Sequence, residues 1–498
     1  MSLFRKVLVA NRGEIAVRVI RTCRTMGIPT VAVFSEADAA ARHVGEADEA
    51  VAIGPPEPAR SYLSIDALLK AALGSGADAV HPGYGFLSQS GDFADAVRDA
   101  GLAFVGPPGD VHRRMGDKKG ARRLMASAGV PVVPGYDGDE QSDERLLAEA
   151  ERLGWPVVLK PSRGGGGKGM RVVRRPADFA AALAGSRREA RGAFGDDAMV
   201  VERFVDRPRH VEVQVMADAT GRTLHLGERE CSIQRRHQKV VEETPSPALD
   251  GRAREALCAA GVAAARAASY VNAGTVEFLL APDGSFFFLE MNTRLQVEHP
   301  VTEEVTGLDL VRLQIEIAAG RPLSLAQEDV VRRGHAIECR LYAEDPDRDD
   351  LPSPGRILHV SEPQGPGIRV DSGIRSGSEV SVHYDPLLAK VVASGWGRRE
   401  AIERMGDALR RTVVLGVVTN LARLRAIIEH PAFEAAALHT GFVDEHLAEA
   451  PSSPALPVEA VAALAATMAR DGSAPGDARP RAADPWEGLG PWRLGESG

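Results

Sequence analysis

The chain is short of cysteine, aromatics, lysine and long apolar runs, and each shortage excludes something. Its four cysteines, Cys23, Cys231, Cys258 and Cys339, lie far apart in 498 residues and form no CxxC pair. Neither a zinc site nor a disulfide framework is expected, and a reducing compartment fits. No window reaches the ~18 uncharged apolar residues of a spanning helix. The opening MSLFRKVLVANRGEIAVRVI lacks an uninterrupted apolar stretch followed by a small-residue cleavage site. A cytoplasmic protein without a membrane partner is expected. The formal net charge of -9 and a pI near 5.9 leave no basic excess, so no nucleic-acid partner is expected.

What is present describes a multidomain soluble protein. A chain of 498 residues divides into roughly three domains on length alone. Apolar residues make up 44% and charged residues 26%, as in soluble α/β proteins. In residues 1–116, KVLVAN, TVAVFS, DAVHPG and AFVGP alternate with helical patterns such as Gly13 to Met26 and SIDALLKAALGSG. Short β runs separated by single helices predict a parallel sheet with crossovers. NRGEIA stands where a dinucleotide fingerprint would stand but lacks GxGxxG. An α+β unit follows over 117–331 and another over 332–447, and a Pro/Ala-rich linker and tail occupies 448–498.

TVEFLLAPDGSFFFLEMN carries Asp283-Gly284 between two apolar runs, a strong hairpin signal. A two-residue loop there pairs Leu279 with Phe288, Glu277 with Glu290 and Thr275 with Asn292. Two facing glutamates repel across a sheet. With Asn292 beside them they form an all-oxygen set suited to Mg2+ or Mn2+, and magnesium usually takes further ligands from substrate phosphates. Beyond the hairpin, Glu290, Asn292, Arg294, Gln296 and Glu298 alternate with Met291, Thr293, Leu295 and Val297. On an extended chain that puts a polar row of both charge signs on one face, which is not a core pattern.

Arg163 to Met170, RGGGGKGM, follows the strand VVLK but is not a Walker A loop, because no Ser or Thr follows the GK. Such a loop can lay backbone N–H groups over phosphates as a mobile lid. Only eight residues are lysine, and Lys118, Lys160, Lys168 and Lys239 fall in or beside these segments, where lysine serves as a point charge for phosphate. Lys119 reads as exposed. CSIQRRHQKVVEE offers Gln234, Arg235, Arg236, His237, Gln238 and Lys239 as an anion site facing Arg294. His210 shares a strand face with Glu212 and Gln214, and either a structural or a functional role is open for it.

Together MGDK, GGGGKGM, RRHQK, GTVEF, EMNTRLQVEHPVTE, HPGYGF, HAIECR and HYDPLLAK resemble the biotin carboxylase component of biotin-dependent carboxylases over about residues 1–447. The resemblance implies a pre-ATP-grasp domain, an ATP-grasp domain with its glycine-rich lid over about 133–204, and a biotin carboxylase C-terminal domain. It implies Glu277, Glu290 and Asn292 as metal ligands. Lys118, Lys160, Gly164, Gly165, Gly166, Gly167, Lys168, Gly169, Glu202, Val205, His210, Gln234 and His237 are implied as ATP contacts. Lys239, Arg294, Gln296 and Val297 match the bicarbonate pocket, Glu298 the general base, and Arg340 the biotin-facing arginine, with Tyr84 and Asp385 near the biotin pocket.

The reaction implied is carboxylation of biotin through carboxyphosphate, with ATP, Mg2+ or Mn2+, bicarbonate and carrier-bound biotin. A biotin carboxyl carrier protein or domain, a carboxyltransferase subunit and a homodimer are the implied partners. DPWEGLGPWRLG resembles the region that follows in acyl-CoA carboxylase α subunits, of methylcrotonyl-CoA type by preference. No AMKM-like lysine motif is present, so biotin is expected on a separate protein or beyond Gly498. Gln89 and Ser90 replace an expected Glu and Asn, which is expected to remove a charge near the biotin pocket. His383 stands for a frequent Tyr, and Pro161 follows Lys160 where a small residue is usual. Two rival readings are another ATP-grasp ligase, for carbamoyl phosphate or an amino acid, and a silent nucleotide-binding subunit that docks through Trp486–Trp492.

Overall fold

The computed structural model describes residues 3–162, 169–236 and 238–447. The expectations for Gly164, Gly165, Gly166, Gly167, Lys168, His237 and the tail from 448 onward lie outside the described residues.

The first unit is built on β1 (Val7–Val9), β2 (Thr30–Ser35), β3 (Glu49–Gly54), β4 (Ala79–His81) and β5 (Ala103–Phe104), in the order β3-β2-β1-β4-β5. All neighbours are parallel. The central strand VLV is wholly buried, as a strand covered on both faces must be. The crossover helix Gly13–Thr25 buries Ile15, Val19, Ile20 and Cys23, the i, i+4 stripe of an amphipathic helix. Ser64 caps the helix Ile65–Gly74 by accepting from the Ala67 N–H, and Ser90 does the same for Gly91–Asp99 through Phe93.

A small second sheet follows, β6 (Gly135–Tyr136), β7 (Val157–Pro161), β8 (Arg171–Val173) and β9 (Met199–Arg203), ordered β6-β9-β7-β8 and antiparallel. It has its own core of Leu146, Leu159, Phe179, Leu183 and Val201 among others. A separate core lets such an element move as a body.

The site lies on a third, eight-stranded sheet. Its strands are β10 (Arg209–Ala217), β11 (Thr223–Arg235), β12 (Gln238–Thr244), β13 (Asn272–Leu280), β14 (Phe286–Asn292), β15 (His335–Tyr342), Ile368–Ser372 and Leu387–Gly395. The order is β14-β13-β10-β11-β12-β15, then Leu387–Gly395, then Ile368–Ser372. The pairing of β12 with β15 makes the sheet continuous between the second and third units of the sequence. Val211, Val213 and Val215 of β10 pack into the core with Leu257 of the helix Gly251–Ala267. The alternate residues His210, Glu212 and Gln214 are buried as well. One face of the sheet is therefore a dry polar surface.

Candidate active site

The hairpin forms, but not as a two-residue loop. Pro282, Asp283 and Gly284 make a three-residue turn closed by Ala281 N–H to Ser285 O at 2.8 Å. Gly284 has φ +85°, the left-handed residue that such loops require. Phe286 and Phe287 therefore face Leu280 and Leu279, so Leu279 pairs with Phe287 and not with Phe288. A bulge at Leu289 then shifts the register, and Glu277 meets Glu290 and Thr275 meets Asn292 as expected. The bulge also lets Phe288 enter the core while Glu290, two positions on, borders the site.

Cross-strand register sets Arg229, Glu212, Glu277 and Glu290 in one row over β11, β10, β13 and β14. Three adjacent carboxylates would be destabilising alone. Cations from both sides offset them. Arg229, fully buried, donates to Glu212 at 2.6 Å. Lys239 Nζ donates to Glu212 at 2.6 Å, Glu277 at 2.9 Å and Glu298 at 2.7 Å. Burial alone would strip the Lys239 ammonium of its proton, but Glu212, Glu277 and Glu298 hold it well above the usual lysine value. Burial likewise opposes the charge on Glu277, and Lys239 and His210 keep its carboxyl well below the ordinary range.

The polar row of the sequence converges on the same point, although β14 ends at Asn292. Asn292 and Gln296 both donate to Glu277 Oε1, at 2.8 and 3.1 Å. Arg294 donates to Gln296 Oε1 at 2.8 Å. Glu298 occupies the N-cap position of the helix His299–Thr306. Its two oxygens take Lys239 at 2.7 Å and Arg340 at 2.9 Å. The row is therefore no exposed face: Asn292, Gln296 and Glu298 are buried. A core tolerates them because each charge meets its opposite.

Toward the small sheet, Lys160 donates to Glu202 at 2.5 Å and Arg122 does so at 3.1 Å. Lys118 stands 3.9 Å from Glu290. His210 accepts from Gln234 at Nδ1, at 2.9 Å, and its Nε2 lies 3.0 Å from Glu277. Val205 is half-buried in the loop between β9 and β10. Gly169 has φ +75°, and a Cβ on it would stand 2.9 Å from the Pro161 ring. Arg235 and Arg236, expected to face Arg294, instead pair with Asp349 and Asp350. Of that basic block, Gln234 and Lys239 are the described residues joined to the cluster. Lys119, expected to be exposed, pairs with Asp139 at 2.8 Å.

Three family descriptions match in order: "Biotin carboxylase, N-terminal domain" over residues 3–111, "Carbamoyl-phosphate synthase L chain, ATP binding domain" over 117–326, and "Biotin carboxylase C-terminal domain" over 338–445. The biotin carboxylase of Halalkalibacterium halodurans is 51% identical over 445 residues, covering 89% of this chain and 98% of that one. The chain belongs to the biotin carboxylase family.

Biotin carboxylases are ATP-grasp ligases, and they run the first half-reaction of biotin-dependent carboxylases. The solved biotin carboxylase of Campylobacter jejuni, described as a complex with βγ-ATP, superposes with a TM-score of 0.86 at 41% identity, covering 89% of this chain and 99% of that one. The mitochondrial methylcrotonoyl-CoA carboxylase subunit alpha of Rattus norvegicus is 50% identical over 442 residues. This chain spans 62% of that relative's length.

On the opposite side of Glu298 the chain places Arg340, whose Nε donates to Glu242 at 2.6 Å. Tyr84 lies under the Lys390 ammonium, 5.8 Å from ring centre to Nζ. Asp385 is exposed and accepts from the Leu387 N–H at 2.9 Å. Gln89 lines a cavity of about 170 Å³ with Lys118, Glu290 and Asn292. The exchanged residue at 89 thus borders the hairpin glutamate, and Ser90 is a helix cap.

Sequence reasoning missed Arg229, Glu242, Glu338 and Lys390, all buried. Arg229 sits in GERE, between Glu228 and Glu230, outside every motif the sequence offered. The available signal was the length of polar chain inside a strand that turns out to have no exposed residue.

Proposed function

We propose that this biotin carboxylase chain carboxylates biotin presented on a carrier protein or domain, using ATP and bicarbonate through a carboxyphosphate intermediate. The observation that carries the reading is Lys239 joined at once to Glu277, on the hairpin, and to Glu298, beside Arg340. One cation links a carboxylate at the phosphate side to a base at the carbon side.

Glu277, Glu290 and Asn292 would hold the metal. Glu277 and Glu290 are in register, and Glu290 is 43% exposed with a single long ion pair among the described residues, to Lys118. An oxygen set of this kind fits Mg2+ or Mn2+. When bound, the metal neutralises phosphate charge during transfer. Lys118 and Lys160 add positive charge for the phosphates, Glu202 and Val205 border the base, and His210 and Gln234 complete the nucleotide side. Magnesium ADP and bicarbonate are bound in the Hydrogenobacter thermophilus 2-oxoglutarate carboxylase biotin carboxylase domain, a dimer that is 43% identical with a TM-score of 0.84. That supports the same ligands and a homodimer here.

Bicarbonate is a poor electrophile until one of its oxygens becomes a phosphate, and the transfer depends on positioning and charge stabilisation. Burial raises the proton affinity of Glu298, but Lys239, Arg340 and Arg229 outweigh it and hold the carboxyl well below the ordinary range. So arranged, Glu298 is ionised but weakly basic. Bicarbonate accepting hydrogen bonds from Lys239 and Arg294, beside Gln296 and the Val297 backbone, shares that positive charge and restores basicity to Glu298, which then takes the bicarbonate proton. Carboxyphosphate releases carbon dioxide and phosphate. Phosphate takes the ureido proton, and Arg340 stabilises the oxygen anion, near Tyr84 and Asp385.

The likeness to methylcrotonoyl-CoA carboxylase α subunits supports a carboxyltransferase partner of acyl-CoA type. No helix among the described residues is long and apolar enough to cross a membrane, and four buried free cysteines suit a cytoplasmic setting. The test is bicarbonate-dependent ADP release with free biotin. Stimulation by biotin is expected. A folded, ATP-binding sample stimulated instead by ammonia or an amino acid overturns the reading.

A further inference from the structure

Beside Arg340 two buried glutamates face each other. β12 and β15 pair antiparallel with Glu242 directly opposite Glu338, a register that sets Cβ atoms about 5 Å apart. They are 1% and 0% exposed. Glu242 Oε1 accepts from Arg340. Glu242 Oε2 and both oxygens of Glu338 accept no hydrogen bond among the described residues. Lys390, the cation closest in register, is committed to the Val297 carbonyl at 2.9 Å and to Glu14 at 3.2 Å.

Two ionised carboxylates here would combine like charges in direct opposition with three buried acceptors lacking donors, and each of those is costly. A single proton removes the first penalty and reduces the second, leaving one Glu338 oxygen without a donor among the described residues. It neutralises one group, and it supplies an O–H for an oxygen across the ladder, the arrangement adopted when two carboxylates share one site. The groups facing the pair are Lys239 on β12, Arg340 on β15, Lys390 on Leu387–Gly395 and Glu298 at the helix start. Burial pushes both carboxyls up, and Glu338, with no donor of its own, goes well above the usual range.

We propose that Glu242 and Glu338 hold one proton between them, resident on Glu338, and that the pair is a positioning device for Arg340. An ionised Glu242 and an ionised Glu298 then share the Arg340 guanidinium. A neutral Glu338 keeps a third anion from competing for it. The inference rests on the reading of Arg340 given above, but the protonation itself is measured without turnover.

The experiment is infrared spectroscopy of the wild-type chain at neutral pH in H2O and D2O, with Glu338→Gln, Glu242→Gln and Glu14→Gln compared. A protonated-carboxyl C=O band that shifts in D2O, survives Glu14→Gln and disappears in Glu338→Gln is expected. In biotin-dependent ADP release, Glu242→Gln is expected to lower kcat about ten- to a hundredfold, the loss of one charged hydrogen bond. The KM for ATP should stay close to wild type. Glu338→Gln, neutral like the acid it replaces, is expected to lower kcat less and to move the alkaline limb of the kcat profile. Two ionised carboxylates in the wild type, seen as no D2O-sensitive acid band, overturn the proposal even if no variant folds. So does a Glu338→Gln protein that binds ATP but is as slow as Glu242→Gln. If the band behaves as expected while no variant or wild type responds to biotin, the pair stands and the functional reading fails.

Discussion

Replacing Lys239 by Gln removes an ammonium that three buried carboxylates share. At N–O distances of 2.6 to 2.9 Å, each pair is worth roughly 6 kcal/mol of gross Coulomb energy at an effective dielectric of about 20. Desolvation of the lysine offsets much of that sum. The net cost of breaking such a buried pair from one side is about 3–5 kcal/mol. Glu212 keeps Arg229, so the burden falls on Glu277 and Glu298.

Unfolding entropy of about 2.1 cal/mol/K per residue over roughly 450 residues converts that cost to a fall of about 3–5 °C in Tm. The sign of the pH dependence follows from the same charges. In the wild type Glu277 and Glu298 have depressed values, so their stabilisation is present above the unfolded carboxyl pKa and is lost as pH falls through the folded values. Between pH 8 and 6 the wild type is flat with respect to them. In the variant a buried carboxyl without its cation has a raised pKa, so the folded state binds a proton that the unfolded state does not, and stability rises as pH falls. One such proton recovers up to about 2.7 kcal/mol over those two pH units. Thermal unfolding of both proteins at pH 6, 7 and 8 measures this. A Tm deficit that is absent, or that is unchanged across that range, refutes the charge argument.

Glu298→Gln should lower bicarbonate-dependent ADP release by about 10²- to 10⁴-fold while nucleotide affinity, measured by equilibrium binding, stays near wild type. Glu290→Gln, at a half-exposed position, should fold normally and need more Mg2+ for half-maximal rate in a metal titration; an unchanged titration would remove Glu290 from the metal set. Gly169→Ala forces a Cβ toward Pro161 at a φ of +75°, a strain of about 1–2 kcal/mol, and is expected to raise the KM for ATP more than it lowers kcat.

Several parts of the fold were legible because they depend on neighbours in the chain. The parallel strands of residues 7–104 follow from short apolar runs with helical patterns between them. The edge strand Glu49–Gly54 escaped because its exposed positions blur the apolar signal. Glu277 and Glu290 were paired correctly for an incomplete reason: the real turn is one residue longer, and the Leu289 bulge restores the register. Arg235 and Arg236 look like site residues by adjacency to Lys239, yet Asp349 and Asp350, more than a hundred residues away, draw them off.

From the chain alone came the pointers to a metal-bound nucleotide: an oxygen-rich hairpin, lysines beside a glycine run, and an alternating polar row ending in Glu298. Side-chain type and local periodicity determine these. The three-dimensional arrangement decided which charges are neutralised. Lys239 serving two strands and a helix cap, Arg229 deep in the sheet, and Glu242 against Glu338 all depend on which strands lie side by side, and burial makes each pairing obligatory once water is excluded.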